Sequence, residues 1–482
     1  MSAVPSAVAT AAATAAPADA IADYHALLDG TAGAQLAADT NGALETALGR
    51  RGLIFGTRAL CTVVRPRFFT PAQYAALGRR IARLMRAFNT AHRAALADPA
   101  LRAQFRLEEW EEALLAAGPR AAISSPTARL DAFVVDTAGD GGSFALTEVN
   151  GETPAGAGFN DTLTDTFLEL PAMRAFVRRW HVLPVFAHYG IVEAVVGAWR
   201  RWAEGAGRPT RGVAPRVAIL DWDDVPTRLE FVMFQNHFRA QGMECVIADP
   251  RAATFETNTG GDGALVLDGA PVDVIYKRVL LSELVERAGV ECDVLRAWQA
   301  GAVCMVNPPD GKILHKKASL AVLSDERNAD RFDADARAAI ADGIPWTRVV
   351  EERRTLHDGR GVDLLPYLAA NRERFVLKPN DEYGGTGIVL GWTVDAGEWE
   401  GALARALAEP YVVQERVPIP FEPYPSVVDG TVHLIDRMID TAPYVTDGAV
   451  MDGLLSRLST AALLNVTAGG GSQVPNFVVV PR

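Results

Sequence analysis

A succession of apolar strands and helices in the middle of the chain constrains the fold more than any other feature of the sequence. The first apolar strand is APRVAILDWDD, residues 214–224, which ends in acidic residues. A helical stretch follows over residues 228–241, and two further strands are ECVIADP at 244–250 and VDVIYKRVL at 272–280. Strands that alternate with helices pair in parallel, so this region predicts an α/β unit built on a parallel sheet.

The length and charge of the chain narrow the classes of function. At 482 residues the chain exceeds one ordinary domain, so two or three packed units are expected. A net charge of −12 argues against a nucleic-acid partner or an anionic membrane, because both bind through basic faces. The four cysteines lie far apart without a C-x-x-C pair, which is typical of reduced thiols in a cytoplasmic protein.

The first 120 residues combine a tail with a helical region. Residues 1–20 are small and apolar and lack a basic leading segment, which predicts a disordered tail rather than a signal peptide. Residues 21–120 predict helices, one of which begins at TPAQ, where Thr70 caps and Gln73 closes a capping box. No run approaches the roughly 18 apolar residues of a membrane span.

The scarcity of lysine singles out a few positions. The chain holds five lysines, and subtracting them from the Lys+Arg total of 47 leaves 42 arginines. An ammonium is a compact point charge and a guanidinium is a planar fork, so the two are not interchangeable at a tight site. The candidates for chemistry are therefore Lys277, Lys312, Lys316, Lys317 and Lys378.

One of these lysines precedes a glycine-rich loop in FVLKPNDEYGGTGIVLGW, residues 375–392. Gly384, Gly385 and Gly387 would let backbone N–H groups approach a phosphate, which a Cβ would obstruct. Lys378, on the strand before the loop, would counter the phosphate charge. The loop matches neither the Walker motif nor G-x-G-x-x-G. A simple glycine-rich hairpin is the alternative, and the lysine upstream favours phosphate binding.

A second basic segment contains two adjacent lysines, Lys316 and Lys317, at the start of a helix predicted to begin near His315. Positive charge at a helix start opposes the helix dipole, so the pair favours an anionic ligand over a plain surface pair. Only one of the two needs to point inward, and Lys317 is preferred. Lys312 is expected to be a solvated turn residue.

Acidic residues mark two neighbouring strands, LDAFVVD and SFALTEVN. Glu148 and Asn150 are two apart, so they point to one face of their strand, with Asp131 on the other strand. Two carboxylates and an amide oxygen are hard ligands that suit Mg²⁺. The alternative is an edge strand with a salt bridge between Arg129 and Glu148. The nearby phosphate-binding candidates favour the metal site.

A last short motif is QERV, from Gln414 to Val417, after another buried strand. A linker strand of this kind presents backbone N–H and C=O groups to an adenine edge. A turn that follows a strand often has the same composition, so the motif is weak by itself.

Together these motifs resemble the ATP-grasp superfamily, and more narrowly its circularly permuted branch, which includes the synthetase domain of glutathionylspermidine synthase. The resemblance covers roughly residues 129–482. In an ordinary ATP-grasp enzyme the metal-binding acid and Asn follow the adenine linker, whereas here Glu148 and Asn150 precede both lysine segments. The motifs that carry it are R-x-D at 129–131, TEVNGETP at 147–154, NPPDGKILHKKASLAVL at 307–323, FVLKPNDEYGGTGIVLG at 375–391, QE at 414–415 and GLLSRLS at 453–459.

The resemblance implies an α/β fold in which two lobes grip ATP and Mg²⁺ between antiparallel sheets. It implies that Lys378 and Lys317, with Lys316 as the alternative to Lys317, hold the α- and β-phosphates. The residues implied to cover the γ-phosphate are Gly384, Gly385, Thr386 and Gly387, and those implied at the adenine are Gln414, Glu415 and Val417. The implied Mg²⁺ ligands are Asp131, Glu148 and Asn150, and Arg129 and Arg457 would stabilise the transferring phosphoryl group.

The resemblance also sets the expected domain boundaries. Residues 1–20 would be the tail and residues 21–120 the helical N-terminal region. Residues 121–215 would form the permuted metal-binding part of the ATP-grasp fold, and residues 216–300 the α/β substrate domain. The nucleotide-binding lobes would occupy residues 301–482.

The implied activity is an ATP-dependent ligase that joins a carboxylate to an amine through an acyl phosphate. Two other functions stay open: a phosphotransferase that stops at the phosphorylated substrate, and an inactive nucleotide-binding module that acts with a partner. The substrates are readable only as a small-molecule or peptide carboxylate and an amine acceptor. Lys277, Arg278 and Arg437 are candidates to hold them, with a strand-end salt bridge as the alternative for the first two. The oligomeric state stays open, a homo-oligomer included.

Overall fold

The computed structural model describes residues 17–55, 58–135, 142–257, 263–382, 384–460 and 471–482. Most of the predicted tail, residues 1–16, lies outside the described residues, whereas residues 17–20 already belong to a helix. None of the described helices combines the length and the apolar character needed to cross a bilayer. The described helices are α1 Pro17–Leu27, α2 Gly30–Arg50, α3 Pro71–Ala97, α4 Pro99–Arg102, α5 Glu109–Ala117, α6 Ala157–Glu169, α7 Pro171–Phe176, α8 His188–Gly205, α9 Arg228–Ala240, α10 Leu281–Ala288, α11 Asp293–Gln299, α12 Lys312–His315, α13 Ala318–Ser324, α14 Ala334–Gly343, α15 Leu364–Ala370 and α16 Ala396–Ala408.

The described strands form several separate sheets. In chain order they are β1 Ile54–Phe55, β2 Arg58–Ala59, β3 Arg67–Phe69, β4 Thr127–Val135, β5 Ser143–Asn150, β6 Trp180–Pro184, β7 Val217–Leu220, β8 Cys245–Ala248, β9 Thr254–Thr257, β10 Gly263–Leu267, β11 Ala270–Val272, β12 Val274–Lys277, β13 Cys304–Val306, β14 Thr347–Val349, β15 Arg354–His357, β16 Arg360–Asp363, β17 Phe375–Pro379, β18 Val389–Leu390, β19 Tyr411–Glu415, β20 Phe421–Val428, β21 Thr431–Ile439, β22 Ala442–Thr446, β23 Val450–Ser459, β24 Ser472–Val474 and β25 Asn476–Pro481.

The middle of the chain folds as the predicted α/β unit. Its strands lie in the order β13-β12-β7-β8 and every pair is parallel. Alternate residues enter different apolar clusters: Val217 and Ile219 pack with α8 and α9, whereas Ala218 and Leu220 pack with α10 and α11. Because helices cover both faces, the strands are unbroken apolar runs, as parallel strands usually are. The predicted parallel sheet is confirmed.

The largest sheet joins two distant parts of the chain. Strands β4 and β5 pair with each other and, through β22, with the C-terminal strands in the order β20-β21-β23-β22-β4-β5. All of these pairs are antiparallel. Residues 127–150 therefore share one sheet with residues 421–459, an arrangement that brings the predicted acidic strands beside Arg457.

A smaller antiparallel sheet, in the order β14-β19-β17-β18, carries the predicted lysine strand. One face packs on α15 and α16 through Phe375, Leu377 and Val413. The opposite face carries Val349 and Val412, which pack against α13, and also Lys378, because its register partner is Val412. The sheet therefore presents Lys378 on the side away from α15 and α16.

The N-terminal helical region packs into the rest of the molecule. Helix α3 begins as predicted, with Thr70 as cap and Gln73 completing the capping box. Its apolar face shares one cluster with Leu130, Leu146 and Ile340. Strand β3 pairs in parallel with β25, which also pairs with β6, so this region contains strands as well as helices.

Candidate functional site

Lys378 is a buried cation on the face of the small antiparallel sheet that lies against β5. Its Nζ donates to the backbone carbonyl of Thr147 at 3.0 Å and to Oε1 of Gln414 at 2.7 Å. Burial lowers the pKa of Lys378 to about 8; the Glu148 carboxylate opposes this shift and the Lys317 ammonium adds to it. Among the described residues no carboxylate forms an ion pair with Lys378, so the charge is held by neutral oxygens.

Lys317 and Lys316 point to different places. Lys317 Nζ lies 2.9 Å from a carboxylate oxygen of Glu148 and donates to the carbonyl of Glu382 at 2.6 Å. Lys316 Nζ lies 2.9 Å from both Glu111 and Asp381. Only Lys317 therefore joins Lys378 beside β5, which agrees with the preference stated for it.

The acidic residues share one face of the β4–β5 pair. Asp131 is the register partner of Glu148, and Arg129 is the register partner of Asn150. Residues two apart on a strand point the same way, so all four side chains lie on this face. The alternative pair, Arg129 with Glu148, does not form, because Arg129 binds Asp131 at 2.7 Å.

The two predicted arginines converge on Asp131. Arg129 binds both of its carboxylate oxygens, and Arg457 Nη2 lies 2.8 Å from Oδ2. Arg457 also pairs with Asp440. Burial alone would raise the pKa of Asp131, but the guanidinium groups of Arg129 and Arg457 hold it well below its usual range.

The donors on this face fit a divalent cation only in part. Among the described residues, no three His, Cys, Asp or Glu side chains converge as a metal site. Glu148 is partly exposed and has one ammonium partner, and the amide nitrogen of Asn150 is buried without a partner, so both side chains could turn to a ligand. Asp131 is less available, because both of its oxygens already accept from arginine.

The glycine loop has a backbone that requires its glycines. Gly384, Gly385 and Gly387 have φ of 67°, 82° and 70°, the left-handed region that side chains with a Cβ avoid. A Cβ on Gly387 would also lie 2.6 Å from Cγ of Pro379. Thr386 lies exposed between them. Residues 384–387 therefore form a tight turn.

The QERV segment is engaged more than the sequence suggests. Gln414 is buried, with Nε2 donating to Leu146 O and Oε1 accepting from Lys378. The backbone N–H groups of Glu415 and Arg416 donate to Trp346 O and Arg374 O. Val417 follows the end of β19 and is partly exposed.

The three predicted substrate residues do not form one site: Lys277 and Arg278 are adjacent, and Arg437 lies in another sheet. Lys277 and Arg278 form the strand-end salt bridges that the sequence left open: Lys277 with Glu152 at 3.1 Å and Arg278 with Glu230 at 3.1 Å, all buried. Arg437 is buried in the large sheet, where it donates to Ser426 at 3.0 Å.

The expectation for Lys312 is wrong. Lys312 is buried, and its Nζ lies 3.0 Å from Glu152 and 2.9 Å from Asp381. Burial alone would lower the pKa of Lys312, but these carboxylates outweigh it and raise the pKa. Glu152 and Asp381 were not among the residues predicted from the sequence, although both lie within the quoted motifs. The signals available were the carboxylate of Glu152 directly after Gly151 and the acidic pair at 381–382 before the glycine loop.

Comparison with known proteins shows what the fold is similar to. No family model matches the chain. A Frankia alni protein, whose provisional name is glutamate–cysteine ligase 2-3, is 25% identical over 472 residues. The match covers 90% of this chain and 49% of the relative, so the chain spans about half the length of that protein.

Among solved structures, a glutathione synthetase-like effector from Globodera pallida in its apo form matches with a TM-score of 0.56. It is 13% identical, and the match covers 92% of this chain and 97% of the effector, so the two share their fold. A RimK-domain ATP-grasp protein from Sphaerobacter thermophilus matches 55% of this chain and 90% of its own, at 17% identity and a TM-score of 0.26. The predicted α/β fold is confirmed as the fold of this glutathione synthetase-like effector, and the circular permutation stays a prediction.

Proposed function

We propose that the chain is an ATP-dependent carboxylate–amine ligase that forms an amide bond through an acyl phosphate and releases ADP and phosphate. The observation that carries the proposal is Lys378, a buried ammonium that only neutral oxygens hold. The name of the Frankia alni relative and the fold shared with a glutathione synthetase-like effector support the same class of reaction.

In this proposal Lys378 and Lys317 bind the phosphates of ATP. Both now donate to backbone carbonyls, of Thr147 and Glu382. Phosphate oxygens in place of these carbonyls would turn neutral acceptors into charged ones, which strengthens such hydrogen bonds about twofold. Gln414 keeps Lys378 in place, and in this proposal Val417 contacts the adenine edge.

Mg²⁺ would neutralise phosphate charge when bound, and Glu148 and Asn150 are the side chains that fit it. Asp131 would act mainly through Arg129 and Arg457, which it orients from one carboxylate. The two guanidinium groups supply fixed positive charge beside β5, where charge develops as the γ-phosphoryl group moves.

The reaction itself needs no nucleophile from the protein. A carboxylate oxygen of the first substrate attacks the γ-phosphorus and ADP leaves; the amine then attacks the acyl carbon and phosphate leaves. Positioning and charge neutralisation are sufficient for such transfers. The cysteines agree with this, because Cys61, Cys245 and Cys304 are buried and burial raises the pKa of each thiol. Four free thiols also fit the cytoplasm, to which we assign the enzyme.

The proposal implies that the two sheets separate to admit ATP. Lys378 contacts Thr147, Gln414 contacts Leu146, and Lys317 contacts Glu148, so the face of the small sheet lies directly against β5. The hydrogen bond of Gln414 costs about 1 kcal/mol to break and each contact of an ammonium about 1.5–3 kcal/mol, a sum within the reach of nucleotide binding.

The first experiment is calorimetry of ATP binding in the presence of Mg²⁺. We expect the wild type to bind and Lys378→Met and Glu148→Gln to bind at least about tenfold more weakly, each having lost a charged contact. Arg354→Met is the matched control, because it removes a largely exposed charge on β15, which belongs to a separate two-stranded sheet. This variant should bind ATP as the wild type does. A wild type that does not bind ATP would overturn the proposal.

The second experiment separates the ligase from a phosphotransferase. ADP release is measured with carboxylates alone and with carboxylate and amine together, beginning with glutamate and cysteine, the pair in the name of the relative. Release that continues over many turnovers only with the amine supports the ligase. Equal release without the amine, with a stable phosphorylated product, supports the phosphotransferase.

A further inference from the structure

Three of the five lysines take no part in the proposed nucleotide site and instead form one buried row of ion pairs. We call this row the lysine–carboxylate chain. Its successive contacts are Lys277–Glu152 at 3.1 Å, Glu152–Lys312 at 3.0 Å, Lys312–Asp381 at 2.9 Å, Asp381–Lys316 at 2.9 Å and Lys316–Glu111 at 2.9 Å.

The charges in the lysine–carboxylate chain alternate and cancel. Five of the six side chains are at most 3% exposed, and Asp381 is 26% exposed. Each charge in such a row depends on its neighbours, because removing one partner leaves an uncompensated buried charge. A change at one end is therefore felt at the next contact instead of being screened by water.

The row connects parts of the molecule that the proposed reaction must bring together. Lys277 lies at the carboxyl end of β12. Strands β12 and β7 are neighbours in the sheet; the chain continues from β7 to β8 on one side and from β12 to β13 on the other, so the strand order reverses between them. Ligands of open α/β sheets bind at such a position. Glu152 follows Asn150 by two residues, and Asp381 precedes Gly384 of the glycine loop by three.

Glu152 is the member with the most connections. One oxygen accepts from Lys277 and from the backbone N–H of Leu281, and the other accepts from Lys312. Its backbone carbonyl accepts from Asn307 at 3.0 Å. Glu152 therefore ties the start of α10, in the substrate domain, to the helix that precedes the phosphate-binding lysines.

We propose that Glu152 and Lys312 are positioning residues that couple the substrate end of the parallel sheet to the glycine loop through Asp381. The assignment of substrate to the end of β12 and of phosphate to the glycine loop rests on the proposed function. The coupling itself is a property of the protein without nucleotide. Because coupling between sites is reciprocal, a change at either end must alter the other.

The test is amide hydrogen exchange of the full chain without ATP. In Glu152→Gln, peptides covering residues 384–390 should exchange roughly tenfold faster than in the wild type. In Asp381→Asn, which changes a partly exposed side chain, residues 278–284 should exchange faster, although they lie at the far end of the row. Lys312→Met should affect both segments, and Lys312→Arg, which keeps the charge, should restore both.

Glu230→Gln is the matched control, since Glu230 is equally buried and paired with Arg278 in the same domain but has no contact with the row. It should leave residues 384–390 unchanged. If Asp381→Asn leaves residues 278–284 unchanged, or Glu230→Gln loosens the glycine loop as much as Glu152→Gln does, the coupling is refuted. If Glu152→Gln does not fold, Asp381→Asn and Lys312→Arg still decide. A protein that binds no ATP but shows the coupling would refute the proposed function alone.

Discussion

Binding of ATP should be accompanied by proton uptake at Lys378, and this prediction tests the site through a quantity that the fold alone does not require. The pKa of Lys378 is about 8, because burial disfavours its charged form and its contacts are neutral. A phosphate beside the ammonium would stabilise the charged form and return the pKa to its ordinary range, above about 10.

The expected stoichiometry follows from the pKa of about 8. The free protein would carry neutral Lys378 in about 10% of molecules at pH 7, about 50% at pH 8 and about 90% at pH 9. Binding should therefore take up about 0.1, 0.5 and 0.9 protons at these pH values. The apparent affinity should fall about twofold at pH 8 and about tenfold at pH 9, relative to pH 6.5.

The assay is calorimetry in two buffers whose ionisation enthalpies differ, at pH 7, 8 and 9. The terminal phosphate of ATP titrates near pH 6, so it contributes little above pH 8. Lys378→Arg is the control, because a guanidinium stays charged throughout this range and should abolish the uptake. Binding with no proton uptake at pH 9 in the wild type would show that Lys378 does not meet the phosphates.

Three further predictions concern stability and the glycine loop. Burial raises the pKa of Asp221 to about 6, above its ordinary 3.8, so the charged carboxylate destabilises the fold increasingly as the pH rises from 3.8 to 6 and by a constant amount above that. Asp221→Asn should therefore raise the free energy of unfolding, measured by urea titration, by about 1–3 kcal/mol at pH 7.5 and hardly at pH 4. An equal gain at both pH values would contradict this. Gly387→Ala should cost about 1–2 kcal/mol and weaken ATP binding, because its φ is 70° and the new Cβ would meet Pro379, as urea titration and calorimetry would show. The control Gly401→Ala lies inside α16 and its added Cβ has no neighbour within 4 Å, so it should raise the stability by about 0.5–1 kcal/mol and leave ATP binding unchanged. Arg457→Lys should lower the unfolding free energy by about 1–3 kcal/mol, since one ammonium cannot serve Asp131 and Asp440 as the guanidinium fork does, and wild-type stability in thermal unfolding would be the contrary result.

Local pattern in the sequence was enough to predict the elements and part of the site. The continuous apolar runs predicted the parallel strands. The two-residue repeat of a strand predicted that Glu148 and Asn150 share a face. The sheet that joins residues 127–150 to residues 421–459 was not predictable in this way, since pairing between distant strands leaves no local signal.

The lysines show where such reasoning stops. Rarity marked all five as unusual, and all five are buried. Rarity did not indicate which partner each would meet: Lys312 was expected in solvent, and its partners Glu152 and Asp381 are 160 and 69 residues away in sequence. The direction of Lys316 relative to Lys317 likewise depends on Glu111, which the fold brings from the N-terminal region.

The partners of the lysines set Lys378 apart from the other four. Lys277, Lys312, Lys316 and Lys317 each lie within 3.1 Å of a carboxylate oxygen, whereas Lys378 has a carbonyl and an amide oxygen. A pKa lowered from 10.5 to about 8 corresponds to a cost of about 3 kcal/mol for keeping Lys378 charged at neutral pH. Lys378→Met would remove that cost and lose two hydrogen bonds from an ammonium, of about 1.5–3 kcal/mol each, so the two effects largely offset each other and the free protein should stay within about 3 kcal/mol of the wild type. A lysine that served only the fold would destabilise the protein on removal. Near-wild-type stability together with lost ATP binding is therefore the combination that identifies Lys378 as a charge kept for a ligand.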